Sequence, residues 1–288
     1  MKASSEIVIV GAARTPMGGM MGELGTIPAP QLGAVAIAAA LQRAGVTPER
    51  IDEVVMGCVL AAGIGQAPAR QAALSAGLPT GTGCTTINKM CGSGMKALML
   101  AHDQLRAGSA EWMVAGGMES MSLAPYLLPK ARAGLRMGHA QLLDHMFFDG
   151  LEDAYEGGLM GTFAQQTADQ FGVSREVMDD FAIESLTRAR RAMAEGAFTE
   201  EIAAVLVEHK HDTVAVATDE QPGKAKPEKI RRLKPAFASN GTVTAANSSS
   251  ISDGAAALVV TTVEQARAQG IVPLARILGH ATHAQLSA

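Results

Sequence analysis

The residue best placed to do chemistry in this sequence is a cysteine set between a strand-like run and a helix-like run. Cys91 stands in Ile87-Asn88-Lys89-Met90-Cys91-Gly92-Ser93-Gly94-Met95-Lys96-Ala97-Leu98. At a helix start a cysteine faces unpaired backbone N–H groups and the positive end of the helix dipole, and both favour the thiolate, the nucleophilic form. Gly92 and Gly94 let a substrate approach the backbone closely, where N–H groups can hold a developing oxyanion. The competing reading is a small buried hydrophobe, the usual fate of a free cysteine. Position alone leaves both open.

The other polar candidates are weaker. Cys58 lies in an apolar strand-like run and Cys84 at the start of another, so both read as core packing. Cys84 and Cys91 do not form a CxxC pair. His209 and His211 flank Lys210 in what reads as an alternating, exposed strand, and His280 and His283 fall near the end of the sequence. No cysteine or carboxylate set joins either pair, so no metal site is expected. No G-x-G-x-x-G runs from strand into helix, and no P-loop is present.

The elements that must position Cys91 follow from pattern. Apolar runs at Glu6–Val10, Glu53–Leu60, Thr82–Asn88 and Glu111–Gly116 read as strands. Between them Gln31–Ala44, Pro68–Ala76 and Gly92–Arg106 read as helices, the first ended by Gly45 and the second opened by proline. This alternation predicts a layered α/β domain with a mixed or parallel sheet. From Ser120 to about Thr244 the rhythm breaks. The stretch carries more charge, one long helix from Ser174 as N-cap to Glu195, and a polar Pro/Lys run at Thr218–Lys229. Asp253–Thr262 then returns to the buried-strand style. The order predicts a domain interrupted by an inserted one. Pro273–His283 reads as the opening strand of a further unit.

Composition narrows the function classes. With 48% hydrophobic and 3% aromatic residues over 288 positions, the core must be filled by small and aliphatic side chains and 16 methionines. A net charge of -4 disfavours a nucleic-acid role. No apolar stretch reaches the length of a membrane span. Ile7–Ala13 leads into Arg14-Thr15-Pro16 and reads as a first strand with its turn, not a signal peptide. Three cysteines without paired spacing predict a reducing, cytoplasmic setting.

Four segments, in order, carry a resemblance. They are Ile87–Leu105, Ala12-Ala13-Arg14-Thr15-Pro16, Ala115-Gly116-Gly117-Met118-Glu119-Ser120-Met121, and Asn240-Gly241-Thr242-Val243-Thr244-Ala245-Ala246-Asn247, the last continuing through Ser248-Ser249 to Asp253-Gly254-Ala255-Ala256. Together they resemble the thiolase family from about residue 6 to 283. The resemblance implies a thiolase-like α/β core domain at 1–119 plus 246–272, a loop domain at 120–245 covering coenzyme A, and an incomplete second core domain starting at 273–288. It implies an acyltransferase in which Cys91 accepts the acyl group from acyl-CoA, with no permanently bound cofactor and the coenzyme A thioester as substrate. Ser249 matches a loop serine beside the pantetheine and the reactive sulfur, and Ala245 lines the same path. Leu151, Leu159, Met160 and Phe237 match positions bordering the coenzyme A tunnel. A homodimer or homotetramer is implied as well.

The sequence also departs from the family. Leu159 stands where many biosynthetic thiolases have histidine, and Gln221–Lys229 does not reproduce the usual phosphate contacts, leaving Lys224, Lys226 and Lys229 to supply charge. The family's Asn-Glu-Ala-Phe segment, Gly-His-Pro segment and second cysteine do not occur. That predicts an incomplete chain of low turnover. Two other readings stand beside the enzyme. One is a non-catalytic fragment acting by coenzyme A binding or subunit association. The other is a decarboxylating ketosynthase, which the inserted coenzyme A-covering region disfavours.

Overall fold

The computed structural model describes residues 5–284. The strands are β1 (Ile7–Arg14), β2 (Gly18–Gly19), β3 (Glu53–Gly57), β4 (Gly83–Ile87), β5 (Trp112–Ser120), β6 (Tyr126–Leu127), β7 (Leu143–Asp144), β8 (Val205–Glu208), β9 (Thr213–Val216), β10 (Ser252–Thr262) and β11 (Ala275–Arg276). The helices are α1 (Ala29–Ala44), α2 (Pro68–Ser75), α3 (Ser93–Ala107), α4 (Met160–Gln170), α5 (Arg175–Ala194), α6 (Glu220–Lys224), α7 (Pro227–Ile230) and α8 (Val263–Ala268).

One mixed sheet organises the molecule, in the order β11-β1-β10-β5-β3-β4, with β2 paired to β10. β3 runs parallel to β4 and β5, and β10 runs antiparallel to both β1 and β5. Side chains alternate across it, as the pleat requires. Val8, Val54, Met56, Val114 and Val259 pack toward Ile37 of α1 and Ala72 of α2. Their neighbours Ile7, Val55, Met113, Ala115 and Val260 pack toward Ala97, Ala101 and Leu105 of α3. A sheet covered on both faces explains why these strands read as unbroken apolar runs. Gly11 makes this possible under α1, because a Cβ there would run into the Ala40 carbonyl and Ala44 Cβ.

Residues 121–251, between β5 and β10, lack the regular strand–helix rhythm. They hold the two small hairpin-like sheets β6-β7 and β8-β9 with helices α4 to α7. β10 returns to the first sheet and pairs with β1 from Ile7↔Thr262 to Arg14↔Ala256. Ser174 caps α5 as expected, accepting from Val177 N at 3.4 Å. Two expectations differ from what is found. His209 and Asp212 close the turn between β8 and β9, so His209-Lys210-His211 is a turn and not a strand. The 273–283 segment gives only the two-residue β11, which pairs with β1 at Val8↔Arg276 and Ile9↔Ala275. Here those residues extend the first sheet's edge.

Arg14 pins the inserted region to the core. Its Nη1 and Nη2 donate to the Asp219 carboxylate at 2.7 and 2.9 Å, and its Nε to Glu201 at 2.6 Å. Its backbone carbonyl accepts from Ala203 N at 2.7 Å. Burial pushes the Asp219 carboxyl up, but Arg14 and the Met17 N–H outweigh it and hold it below the ordinary carboxylate range. A depressed carboxyl stabilises the fold above its unfolded pKa, about 3.9, and that contribution is lost as pH falls through the lower folded value. Asp219→Asn should cost about 2 kcal/mol at neutral pH, lowering Tm by roughly 4–8 °C. Its deficit should shrink when melts are repeated near pH 3, and an equal deficit at both pH values would contradict the charge assignment.

Candidate active site

Cys91 sits immediately before Gly92, the N-cap of α3, and is the exposed one of the three thiols. Local hydrogen bonds force the chain into this turn. Asn88 Oδ1 accepts from Met90 N at 2.9 Å. Ser93 Oγ accepts from Lys89 N at 2.9 Å and donates to the Met90 carbonyl at 2.6 Å. Met90 is thereby held at φ 48°, a left-handed conformation that costs a non-glycine residue about 1–3 kcal/mol. Gly92 N–H donates to Lys89 O at 3.1 Å, so this candidate oxyanion donor is engaged within the turn.

Three glycines let the start of α3 sit against the sheet. Gly57 and Gly117 are paired neighbours on β3 and β5. A Cβ on Gly57 would stand 2.6 Å from Ser93 Cβ and 2.8 Å from Gly94 N, and one on Gly117 would meet Gly94 Cα at 3.3 Å. No side chain separates the Cys91 turn from the strand ends.

A pocket of about 330 Å³ opens there, lined by Cys91, Met90, Gly94, Leu60, Glu119 and Leu151, among others. Glu119 accepts from Val59 N at 2.9 Å and Leu60 N at 3.0 Å, fixing the loop that forms one wall. Burial pushes its carboxyl above the ordinary range despite those two bonds. His145 accepts from Ala62 N at 3.3 Å on the same loop and meets Asp149 through its other ring nitrogen at 2.6 Å. Ser93, Glu119 and His145 thus shape the site without having been read as site residues. Glu119 lies inside a quoted motif, and Ser93 follows Cys91 by two positions, which was the available signal. For His145 the sequence holds none, because what ties it to the site is Ala62, 83 residues away in the chain.

The other thiols are unsuited to nucleophilic work. Cys58 is buried, and desolvation together with the Glu119 carboxylate pushes its thiol up to about 12. Burial also raises Cys84.

A second, larger groove of about 1140 Å³ holds Ala245 and Ser249, together with Lys226, Lys229 and Arg14. Asn247 anchors its loop, donating to Asp179 at 3.0 Å and accepting from Thr244 N at 2.7 Å. Gln165 accepts from Thr242 N and Val243 N at 2.8 and 3.0 Å. The groove and the Cys91 pocket share no lining residue, so Ser249 lies in the groove wall and not among the residues lining the sulfur's pocket. Leu151 is the expected tunnel residue that lines the Cys91 pocket. Leu159, Met160 and Phe237 line neither space. Leu159 bridges Glu152, next to Leu151, and Phe237 lays its ring over Gly161, next to Met160. Lys224 is taken by an ion pair with Glu220, leaving Lys226 and Lys229 on the groove.

The family description "Thiolase, N-terminal domain" matches residues 7–264. The chain belongs to the thiolase family and is an acyltransferase by family. Acetyl-CoA acetyltransferase of Cupriavidus necator is 52% identical over 279 residues, covering 96% of this chain and 71% of that protein. Acetyl-CoA acetyltransferase 2 of Arabidopsis thaliana is 50% identical over 283 residues, covering 97% and 70%. The solved structure of acetyl-CoA acetyltransferase from Syntrophomonas wolfei superposes with a TM-score of 0.92 at 39% identity, covering 96% of this chain and 70% of that one. The thiolase-like α/β fold expected from the sequence is therefore established.

Proposed function

We propose that this chain carries an acetyl group on Cys91, taken from acetyl-CoA, as the first half of a thiolase-type transfer. The observation that carries this reading is the exposed Cys91 thiol, held before the N-cap of α3 in a pocket whose floor is built from glycines. In the forward step the Cys91 sulfur attacks the thioester carbonyl and coenzyme A leaves as its thiol, forming an acyl-cysteine. Covalent catalysis of this kind splits one difficult step into two. In the second half a further acetyl-CoA gives up an α-proton and its carbanion takes the acyl group, and thiolysis is the reverse.

Coenzyme A is anionic at its nucleotide end, and Lys226 and Lys229 on the large groove supply opposite charge to it. Leu151, Leu159, Met160, Phe237, Ala245 and Ser249 are assigned to the coenzyme A path. A homodimer or homotetramer belongs to the same reading, and the edge of β4, which pairs only with β3 among the described residues, offers a surface for it.

The test is incubation with acetyl-CoA followed by acid quench and peptide mass mapping. One acetyl group on the peptide containing Cys91 is expected, absent from Cys58 and Cys84 peptides and lost in Cys91→Ala. An unmodified Cys91 in folded protein overturns the reading. It would leave the non-catalytic role in coenzyme A binding or association.

A further inference from the structure

Away from the Cys91 pocket, one set of nitrogen and oxygen donors converges. His102 and Asp103 are consecutive on α3, and His280 comes from the segment after β11. His102 Nδ1 lies 2.9 Å from Asp103 Oδ1 and 3.2 Å from His280 Nε2, and His280 Nε2 lies 2.9 Å from Asp103 Oδ1. All three ligand atoms fall within 4.8 Å of one another. The two imidazoles meet edge-on, with centroids 4.8 Å apart and planes at 89°. This is not the His280–His283 pair that the sequence offered.

We propose that His102, Asp103 and His280 form a binding site for a divalent transition-metal ion of the zinc type, with the remaining coordination position left to solvent. A tetrahedral ion with bonds of about 2.0–2.1 Å sets its ligand atoms roughly 3.3 Å apart, close to the sides of this triangle. Two ring nitrogens facing each other at 3.2 Å share at most one proton between them, whereas a cation at the centre uses both lone pairs at once. Two imidazoles and one carboxylate suit zinc, cobalt or nickel and not magnesium or calcium, which take oxygen ligands. His102 is 7% exposed and fixed by the core, while Asp103 is 56% exposed at its side chain, so the site is rigid on one side and open to entry on the other.

The ion's role is structural. Asp103 stands about three turns along α3 from Cys91, roughly 18 Å at 1.5 Å per residue. What the ion joins is α3 and the segment after β11, across 177 residues of chain between Asp103 and His280. Without it, the same three side chains form a hydrogen-bonded network.

The experiment uses the untagged 288-residue chain stripped with chelator, titrated calorimetrically with zinc chloride and melted with zinc or magnesium. One zinc per chain is expected, with Tm raised by roughly 5–10 °C at about 100 times Kd, and no response to magnesium. The response should vanish in His280→Ala and in Asp103→Asn. It should survive in Cys91→Ala and in a His209→Ala, His211→Ala double variant. No zinc binding, or binding undiminished in both His280→Ala and Asp103→Asn, overturns the proposal and leaves the network. Loss of binding in Cys91→Ala or in the double variant places the ion elsewhere and overturns it equally.

Discussion

Acetoacetyl-CoA thiolysis by these 288 residues on their own should run at least about 10²-fold slower than by the same residues joined to the family's Gly-His-Pro and second-cysteine segments. The expectation rests on what lines the Cys91 pocket. Among the described residues its ionisable groups are Cys91 and Glu119 alone. Glu119 already accepts two backbone N–H groups, and burial keeps its carboxyl above the ordinary range. His145 is turned toward Ala62 and Asp149. Among the described residues no imidazole lines the pocket to take the Cys91 proton, and a positioned acid–base group contributes about 10²–10⁴ in rate. The resemblance assigns that role to the histidine of the Gly-His-Pro segment and the α-proton step to the second cysteine. Condensation should accordingly suffer more than acyl transfer, although losses within one catalytic unit do not multiply. The measurement is specific activity of both proteins in thiolysis and in condensation, with acetylation of Cys91 followed separately. Equal activity in the two would show that a base within these 288 residues activates Cys91.

Gly57→Val should damage stability and chemistry together. The added atoms would meet Ser93 Cβ at 2.6 Å, Ser93 C at 2.7 Å and Gly94 N at 2.8 Å, mostly backbone that cannot rotate away. Overpacking of this kind costs about 3 kcal/mol, equivalent to a fall in Tm of roughly 6–12 °C. The only relief is to lift the start of α3 off β3, which carries Cys91 with it. A displacement near 1 Å at a reacting group can cost about 10² in rate, so acetylation of Cys91 by acetyl-CoA should slow by that order in whatever fraction stays folded. Gly81→Ala is the control. No atom lies within 4 Å of its Cβ position, and it should stay within about 0.5 kcal/mol of the parent. Gly57→Val with an unchanged Tm and unchanged acetylation rate would remove the close approach from the account of the site.

The sequence by itself determined the elements of the core and the place of Cys91 before a helix start. The apolar runs that became β1, β3, β5 and β10 were legible because the middle of each strand is covered on both faces, so those positions are apolar and no partner need be known. Gly45 after α1, Pro68 in α2 and Ser174 before α5 marked ends through backbone geometry that acts within a few residues. Cys91 was legible for the same reason, because a turn and a helix start are local. The family followed from four short motifs that had to occur in one order.

Only the tertiary structure decided what depends on pairing between distant segments. That β10 enters the first sheet beside β1, that Arg14 reaches Asp219, and that Gly57, Gly94 and Gly117 meet in one place are contacts across long stretches of chain. The assignment of Ser249 to the groove and Leu151 to the Cys91 pocket is of this kind, as is the meeting of His280 with His102 and Asp103. Hydrophobic period and capping chemistry report a residue's immediate neighbours, and they carry no information on which surfaces of two elements come to face each other. Packing of the whole chain sets that, and here it also decided that Glu119, a residue of a recognised motif, spends its carboxylate holding the pocket wall.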